Sequence, residues 1–296
     1  MSLPLVSILT PSLNQGRWLS DNLRSVACQT YPHTEQIVMD GGSTDETLGI
    51  LRDSPERVTW RSEPDRGQSH ALNKALAQSG GGIIGWLNSD DAYFTTDAIA
   101  SAVQLFERHP DLDVVYGHAA LVNGDGLILH MIWVPPFSYR LLHLHNFIIQ
   151  PSAFIRRSAL DTFIADETYD FAMDRELWLR LGRGHRIARL DKVLAIDRHH
   201  RGRKTYTRPD LARADNKRIV AAYGAPKGWW TLPARKALKV AFRLMGLGLL
   251  SQASGPLAFR GIRDGQRSLA IRQVAVRRAT MPAGEASAPH PERSPS

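Results

Sequence analysis

Short apolar runs and amphipathic stretches alternate along the first 120 residues. The runs at 5–10, 36–40, 58–61, 83–87 and 114–116 suit buried strands. Between them, 18–29, 45–52, 69–78 and 96–108 carry apolar residues at helical spacing, and the last stops at His109-Pro110, where proline disfavours further helix. Strand–helix alternation predicts βαβ units, an α/β fold and a mostly parallel, Rossmann-like sheet flanked by helices. In such sheets ligands bind beyond the carboxyl ends of the strands, so the loops there are expected to carry the chemistry. Two more helices are predicted over 172–183, with Leu177, Trp178 and Leu181 on one face, and over 209–223. A boundary at Tyr223-Gly224-Ala225-Pro226 closes a domain spanning 1–223, with halves 1–120 and 121–223. Residues 224–279 read as a basic helical extension, and the Pro/Ala/Ser-rich tail 280–296 as disordered.

Charge sharpens that division. The 296 residues hold 37 Lys+Arg against 29 Asp+Glu, a net +8. Residues 1–223 are near neutral at −1, while 224–296 carry +9. Hydrophobic residues make up 43% and charged residues 22%, which excludes a disordered or fibrous chain. One cysteine excludes an intramolecular disulfide and any cysteine-built metal cluster. Cys28 sits in an apolar helical stretch and reads as an inert packing residue. The start of the chain lacks a basic signal region, and no run of about 18 apolar residues exists, so a cytoplasmic protein is expected.

The strand ends hold the candidate chemistry. After the first run comes Thr10-Pro11-Ser12-Leu13-Asn14-Gln15-Gly16, a small polar loop that can approach a nucleotide or serve as a plain turn. After the second comes Asp40-Gly41-Gly42-Ser43-Thr44-Asp45, where Asp40 can accept hydrogen bonds from a base or ribose. Ser43, Thr44 or Asp45 can cap the helix that follows, and Ser43 with Glu46 three residues later matches a capping box. After the fourth comes Asn88-Ser89-Asp90-Asp91. Its adjacent carboxylates suit Mg²⁺ or Mn²⁺ holding a diphosphate, the alternative being a helix cap before Ala92.

Taken together, residues 6–14, 39–45 and 86–91 resemble the family 2 glycosyltransferases, whose GT-A fold joins a nucleotide-binding α/β half to an acceptor half. The resemblance covers roughly residues 4–206 and keeps the family's motif order. It implies an inverting transfer from a nucleotide-diphosphate-sugar, a UDP-sugar first, to a glycan or lipid-linked acceptor in surface polysaccharide or glycolipid synthesis. By resemblance Asp40 contacts the base and Pro11 and Asn14 line the same pocket. Asn88-Ser89-Asp90 matches the Asp-x-Asp element with Asn in place of the first aspartate. Asp90 and Asp91 would then hold Mn²⁺ or Mg²⁺. Within residues 63–74, Asp65 and Asn73 become nucleotide contacts, while His70 lies on a helix surface. Asp174, in Met173-Asp174-Arg175-Glu176-Leu177-Trp178, takes the base position, its alternative being a helix cap. Residues 198–205 resemble an Arg-x-His-x-x-Ser-Lys-Thr segment, which places His200 and Lys204 near the diphosphate and Arg203 where serine is usual.

Outside the motifs, His143 and His145 alternate with Leu142, Leu144 and Phe147, one face packed and one wet. Gln150 borders the acceptor pocket by the same resemblance. The stretch 234–245, preceded by Trp229 and Trp230, reads as an amphipathic helix suited to the surface of an anionic membrane, at the inner face, or as a packed helix with a solvated basic face. No nucleic-acid-binding motif is present. A scaffold protein that kept the fold without catalysis is the competing reading. A dinucleotide oxidoreductase would need a Gly-x-Gly-x-x-Gly turn that the first loop lacks.

Overall fold

The computed structural model describes residues 3–203, 209–224 and 231–249. Strand β1 (Val6–Ser12) is buried along its whole length, as a central strand covered on both faces must be. Helix α1 (Gly16–Ala27) returns the chain to β2 (Thr34–Asp40), and α2 (Thr47–Arg52) to β3 (Val58–Ser62). Helix α3 (Gln68–Gln78) then crosses back to place β4 (Ile83–Trp86) on the other edge of β1. These four strands run parallel in the order β3-β2-β1-β4. The direction of winding reverses between β1 and β4, so the loops leaving their carboxyl ends diverge and open a crevice.

The sheet continues with mixed pairing. After the short β5 (Ala92–Tyr93) and α4 (Ala98–Arg108), β6 (Val114–Asn123) folds back as a hairpin with β7 (Ile128–Ile132). Helix α5 (Tyr139–Leu144) leads through a 3-10 turn at Gln150–Ser152 into β8 (Ala153–Arg156), which lies antiparallel between β4 and β6. Helix α6 (Met173–Leu181) precedes β9 (Ile187–His199), which runs parallel to β6 and antiparallel to β5. Helices α7 (Pro209–Tyr223) and α8 (Thr231–Met245) follow.

Side chains of successive strand residues go to opposite faces and build separate cores. Leu9, Ile37 and Met39 join α3 and α6, through Leu72, Leu177 and Trp178, on one face. Ile8 and Ile83 meet α4 through Ile99, Val103 and Phe106 on the other, and Val38 packs with Leu19 and Leu23 of α1.

The first-half elements fall where the apolar pattern places them, and the sheet is mostly parallel as predicted. Four departures matter. The long β9 carries Arg189, Asp191 and Lys192 in its span, charges that mask its strand character, and its register against β6 shifts around Tyr116 and His118. Residues 139–144 form a helix capped by Ser138, whose Oγ accepts from Leu141 N–H at 3.3 Å, in place of the alternating packed and wet faces expected there; Leu142 alone of its residues is buried. Cys28 is exposed at the end of α1 and is not a packing residue. The capping box fails too: α2 starts at Thr47, whose N–H is met by Asp45 Oδ1 at 3.0 Å, while Ser43 is used elsewhere. The predicted tail at 280–296, and residues 250–279 before it, lie outside the described residues.

Helix α8 packs through Phe242, whose ring sits 5.5 Å from Trp133 and 5.9 Å from His145, and Leu249 beyond it is buried. Its outer face exposes Leu232, Val240 and Leu244 beside Lys236 and Arg243. No described helix is long and apolar enough to cross a membrane.

Candidate active site

A cavity of about 520 Å³ opens at the reversal between β1 and β4. Pro11, Ser12 and Leu13 line it from the end of β1, and Asp65, Gly67 and Gln68 from the turn into α3. Residues 88–91 line it after β4, Asn146, Gln150 and Asp174 from the second half, and Asp197 and Arg203 from the end of β9. It therefore spans both halves of the fold.

Asp40, expected to contact a base, is placed behind the cavity wall. It is 2% exposed and lies outside the cavity lining. Its Oδ2 accepts from Gly42 N–H at 3.1 Å, Ser43 N–H at 2.8 Å and Ser62 Oγ at 2.6 Å, and its Oδ1 accepts from Ser43 Oγ. These bonds fold the Gly41-Gly42 turn, where Gly42 has φ 89°. Asn14, at φ 52°, is likewise a clasp: its Oδ1 accepts from Thr44 N–H at 2.9 Å and its own N–H donates to Ser43 Oγ at 2.7 Å. The two loops are thus tied together, and Pro11 faces the cavity while Asp40 and Asn14 support its wall. Gly41 is required by Asp65, because a Cβ at 41 would lie 2.7 Å from Asp65 Oδ2.

Asn73 is also a structural contact. Its Oδ1 accepts from the N–H groups of Ile164 and Ala165, both at 3.1 Å, and its Nδ2 donates to Ala165 O at 2.8 Å. It staples α3 to the 164–167 loop and does not line the cavity.

The segment after β4 is not a helix cap, because Ala92 begins β5. Asn88 uses all its polar capacity: Oδ1 accepts from Gln68 Nε2 at 2.7 Å and Trp86 Nε1 at 2.8 Å, and Nδ2 donates to Gln150 Oε1 at 2.9 Å and Asp91 Oδ2 at 3.3 Å. It is a framework residue in the cavity floor. Asp91, 2% exposed, accepts from Arg198 N–H at 2.9 Å. Burial, then the neighbouring Asp90 and Asp197, push its carboxyl well above the usual carboxylate range. Asp90 Oδ2 sits 2.9 Å from His200 Nε2, and the His200 ring lies 4.0 Å from that of Trp18, tilted by 37°. Arg198 is buried and braces this turn, its Nε donating to Asp90 O at 2.8 Å. Arg203 pairs with Asp197 at 2.8 Å. His200 therefore reaches the site through Asp90, while Lys204 lies outside the described residues.

Across the cavity, Asp174 stands in the first turn of α6 without capping it, since Ala172 occupies the cap position and no side chain caps the helix. Its Oδ2 accepts from Asn146 Nδ2 at 3.0 Å. Burial raises its proton affinity, and the Asn146 bond and Arg175 work against that rise. Glu176 is excluded from this role: it holds Arg180 at 3.1 Å and Tyr223 at 2.5 Å in the core beneath.

Among the described residues no three His, Cys, Asp or Glu side chains converge as a ready-made metal cage. Mg²⁺ and Mn²⁺ bound with a diphosphate need only one or two protein carboxylates. Asp90 fits that demand, since it lines the cavity with a carboxylate at the same mouth as Asp197 and Arg203. Asp91 fits it less well, because both its oxygens already meet hydrogen-bond donors.

The sequence profile described as Glycosyl transferase family 2 matches residues 7–164, which span β1 through β8 and most of the cavity lining. The chain belongs to that family. As a family 2 member the protein is a glycosyltransferase. An uncharacterised glycosyltransferase of Mycobacterium tuberculosis is 32% identical over 185 residues, covering 60% of this chain and 69% of the relative. A PGL/p-HBAD biosynthesis glycosyltransferase of Mycobacterium bovis is 31% identical over 167 residues, covering 55% and 63%. S. aureus TarS, solved with UDP-GlcNAc, superposes with TM-score 0.55 at 22% identity over 73% of this chain and 66% of TarS. The mannosyltransferase PcManGT of Pyrobaculum calidifontis, solved with GDP-Man and Mn²⁺, superposes at 0.53 with 18% identity over 95% and 88%. These likenesses establish the GT-A fold. The chain spans about two thirds of the length of the M. bovis relative and of TarS.

Within this glycosyltransferase, sequence reading missed Asn146 and the bracing role of Arg198, and it placed Gln150 at the acceptor pocket without its part in the floor. Gln150 donates to Trp86 O while accepting from Asn88, so it fixes the floor. A buried amide announces itself only through its partners, which lie far along the chain.

Proposed function

We propose that the protein is an inverting glycosyltransferase that moves a sugar from a nucleotide-diphosphate-sugar, a UDP-sugar first, to an acceptor hydroxyl. The observation that carries this reading is that Asp174, a half-buried carboxylate of raised proton affinity, lines the same cavity as Asp90. Pro11, Asp65 and Gln68 border the donor end and Asn146 and Asp174 the acceptor end. Asp174 takes the acceptor hydroxyl proton as that oxygen bonds to the anomeric carbon, and the bond from that carbon to the diphosphate breaks on the opposite side. A base of raised proton affinity accepts the proton more readily, provided it is ionised at the working pH. Asp90, with Asp91 beside it, would hold a divalent cation at the donor diphosphate, where it would supply positive charge to the leaving group. His200, paired with Asp90, orients that carboxylate, and Lys204 is assigned to the diphosphate by family resemblance alone.

Asp174→Asn should abolish transfer, by roughly 10²–10⁴-fold, while UDP binding stays within twofold. Normal turnover in that variant would remove Asp174 from the role.

The relative named for PGL/p-HBAD biosynthesis favours an acceptor in glycolipid or surface-glycan synthesis. The outer face of α8 supports docking at an anionic membrane surface, because Lys236 and Arg243 alternate there with exposed Leu232, Val240 and Leu244. Lys236→Gln/Arg243→Gln should weaken sedimentation with phosphatidylglycerol vesicles, each charge contributing about 1 kcal/mol. Equal sedimentation would leave α8 with a packing role alone.

A further inference from the structure

The cavity lining is strongly acidic. Among the described residues that form it, Asp65, Asp90, Asp91, Asp174 and Asp197 are carboxylates, and Arg203 is the one cation. A cleft lined by one sign of charge concentrates the opposite sign and disfavours its own. A nucleoside diphosphate carries negative charge on both phosphates, so that charge has to be met at this mouth before the donor can settle there.

A turn at the end of β9 delivers the cation. Arg203 N–H donates to His200 O at 3.2 Å, which folds the chain back on itself after the strand. Arg203 Nη2 then lies 2.8 Å from Asp197 Oδ1, and 22% of the arginine side chain stays open, so the pair is not sealed from the cavity. The same turn sets His200 Nε2 2.9 Å from Asp90 Oδ2. Asp91 closes the group, its Oδ1 accepting at 2.9 Å from the N–H of Arg198, the residue after Asp197. Burial works against the Arg203 charge, and Asp197, Asp91 and Asp90 more than offset it, so the guanidinium is charged at every working pH. One carboxylate cannot take all five N–H donors of a guanidinium, and its planar fork matches phosphate oxygens two at a time.

We propose that Arg203 is a fixed cation for the donor diphosphate, so that a nucleoside diphosphate binds without a divalent ion and an ion at Asp90 adds to that affinity. This rests on the nucleotide-sugar reading above and says what supplies the charge at that site. A divalent ion has to be recruited, whereas a guanidinium on a turn is in place before the donor arrives. Asp197 holds the guanidinium at the mouth, and the phosphate oxygens take its remaining donor capacity. If Arg203 were only a clamp on Asp197, its loss would cost stability and leave phosphate binding indifferent to its charge.

Calorimetric titration of UDP into the full chain, in EDTA and again in saturating Mn²⁺, tests this. Wild type should bind UDP in EDTA. Arg203→Gln keeps an amide donor without the charge, and in EDTA it should bind UDP about tenfold more weakly. In Mn²⁺ that deficit should shrink to about threefold, so the ion helps the variant more than it helps wild type. Arg186→Gln removes an exposed arginine paired with Asp111 beyond the other end of β9, and it should bind as wild type does. Should Arg203→Gln unfold, Asp197→Asn/Arg203→Gln leaves no unpaired charge behind. In EDTA it should bind UDP about tenfold more weakly than Asp197→Asn alone. Wild-type binding that appears only with Mn²⁺ overturns the proposal, and so does unchanged affinity of Arg203→Gln in EDTA. An equal deficit with and without Mn²⁺ overturns it too, because it marks a residue that shapes the pocket. A wild type that binds UDP in neither buffer overturns the UDP reading instead, and GDP and inorganic pyrophosphate titrated in EDTA then decide Arg203 through the same variants.

Discussion

Asn146 Nδ2 donates to Asp174 Oδ2 across 3.0 Å, joining the loop after α5 to the first turn of α6. The bond stabilises the ionised carboxylate and so opposes the burial that raises its proton affinity. A base must be ionised, so transfer should fall as pH drops through the raised Asp174 value. Asn146→Ala removes the opposing bond and should move that acid limb to higher pH. The pH profile of kcat/KM measures it, and an unmoved limb would separate Asn146 from the base.

Asn88→Asp restores the carboxylate that the family pattern usually has, and it should harm this protein. Gln150 Oε1 and Asp91 Oδ2 both receive hydrogens from Asn88 Nδ2. An aspartate would set its oxygen against both. A loss of about 2 kcal/mol follows from the broken and repelling contacts, which lowers Tm by roughly 4–8 °C. Mn²⁺ affinity should not rise. A thermal melt with and without Mn²⁺ reads both effects, and a more stable, tighter-binding variant would refute the framework role.

Asn73→Ala tests whether that residue serves the fold or the nucleotide. Its bonds to Ile164 and Ala165 predict a stability loss of about 1–3 kcal/mol. UDP affinity should be unchanged, as calorimetry would show. A selective loss of UDP binding with normal Tm would return Asn73 to the donor site.

His145 makes stability depend on pH. Burial first, then Lys239, Arg235 and Arg175, lower its pKa to about 4. The unfolded chain binds the proton near 6.5, so between those values it holds more protons than the folded chain and stability rises with pH. The contribution is full above 6.5 and lost as pH falls towards 4. His145→Gln should flatten the slope of unfolding free energy between pH 6.5 and 4.5 in denaturant titrations. An identical slope would mean that other groups set it.

The parallel half of the sheet was legible because each strand is short, apolar and followed by a helix whose buried face recurs every three to four residues. The motif residues were legible as chemical types, and Asp90, Asp65, Pro11 and Asp174 do line one cavity. Their division of labour was not. Asp40, Asn14 and Asn73 carry the same polar groups as ligand contacts, yet each spends them on bonds to neighbouring loops of the chain. Whether a carboxylate faces inward or outward at a strand end depends on which hydroxyls lie next to it, and Ser62, 22 residues after Asp40, supplies one from the next strand. Strand β9 stayed hidden because its charges are met by partners distant in the chain, such as Asp97 for Lys192 and His118 for Asp191.

Strand β8 is hydrogen-bonded along both edges, by β4 and by β6. The strands before and after β8 therefore form one continuous sheet, with no hinge along that ladder among the described residues. Such a protein cannot acquire a new acceptor by exchanging a module. It must do so through the loops and helices hung on the sheet, chiefly around residues 143–150 and 164–175.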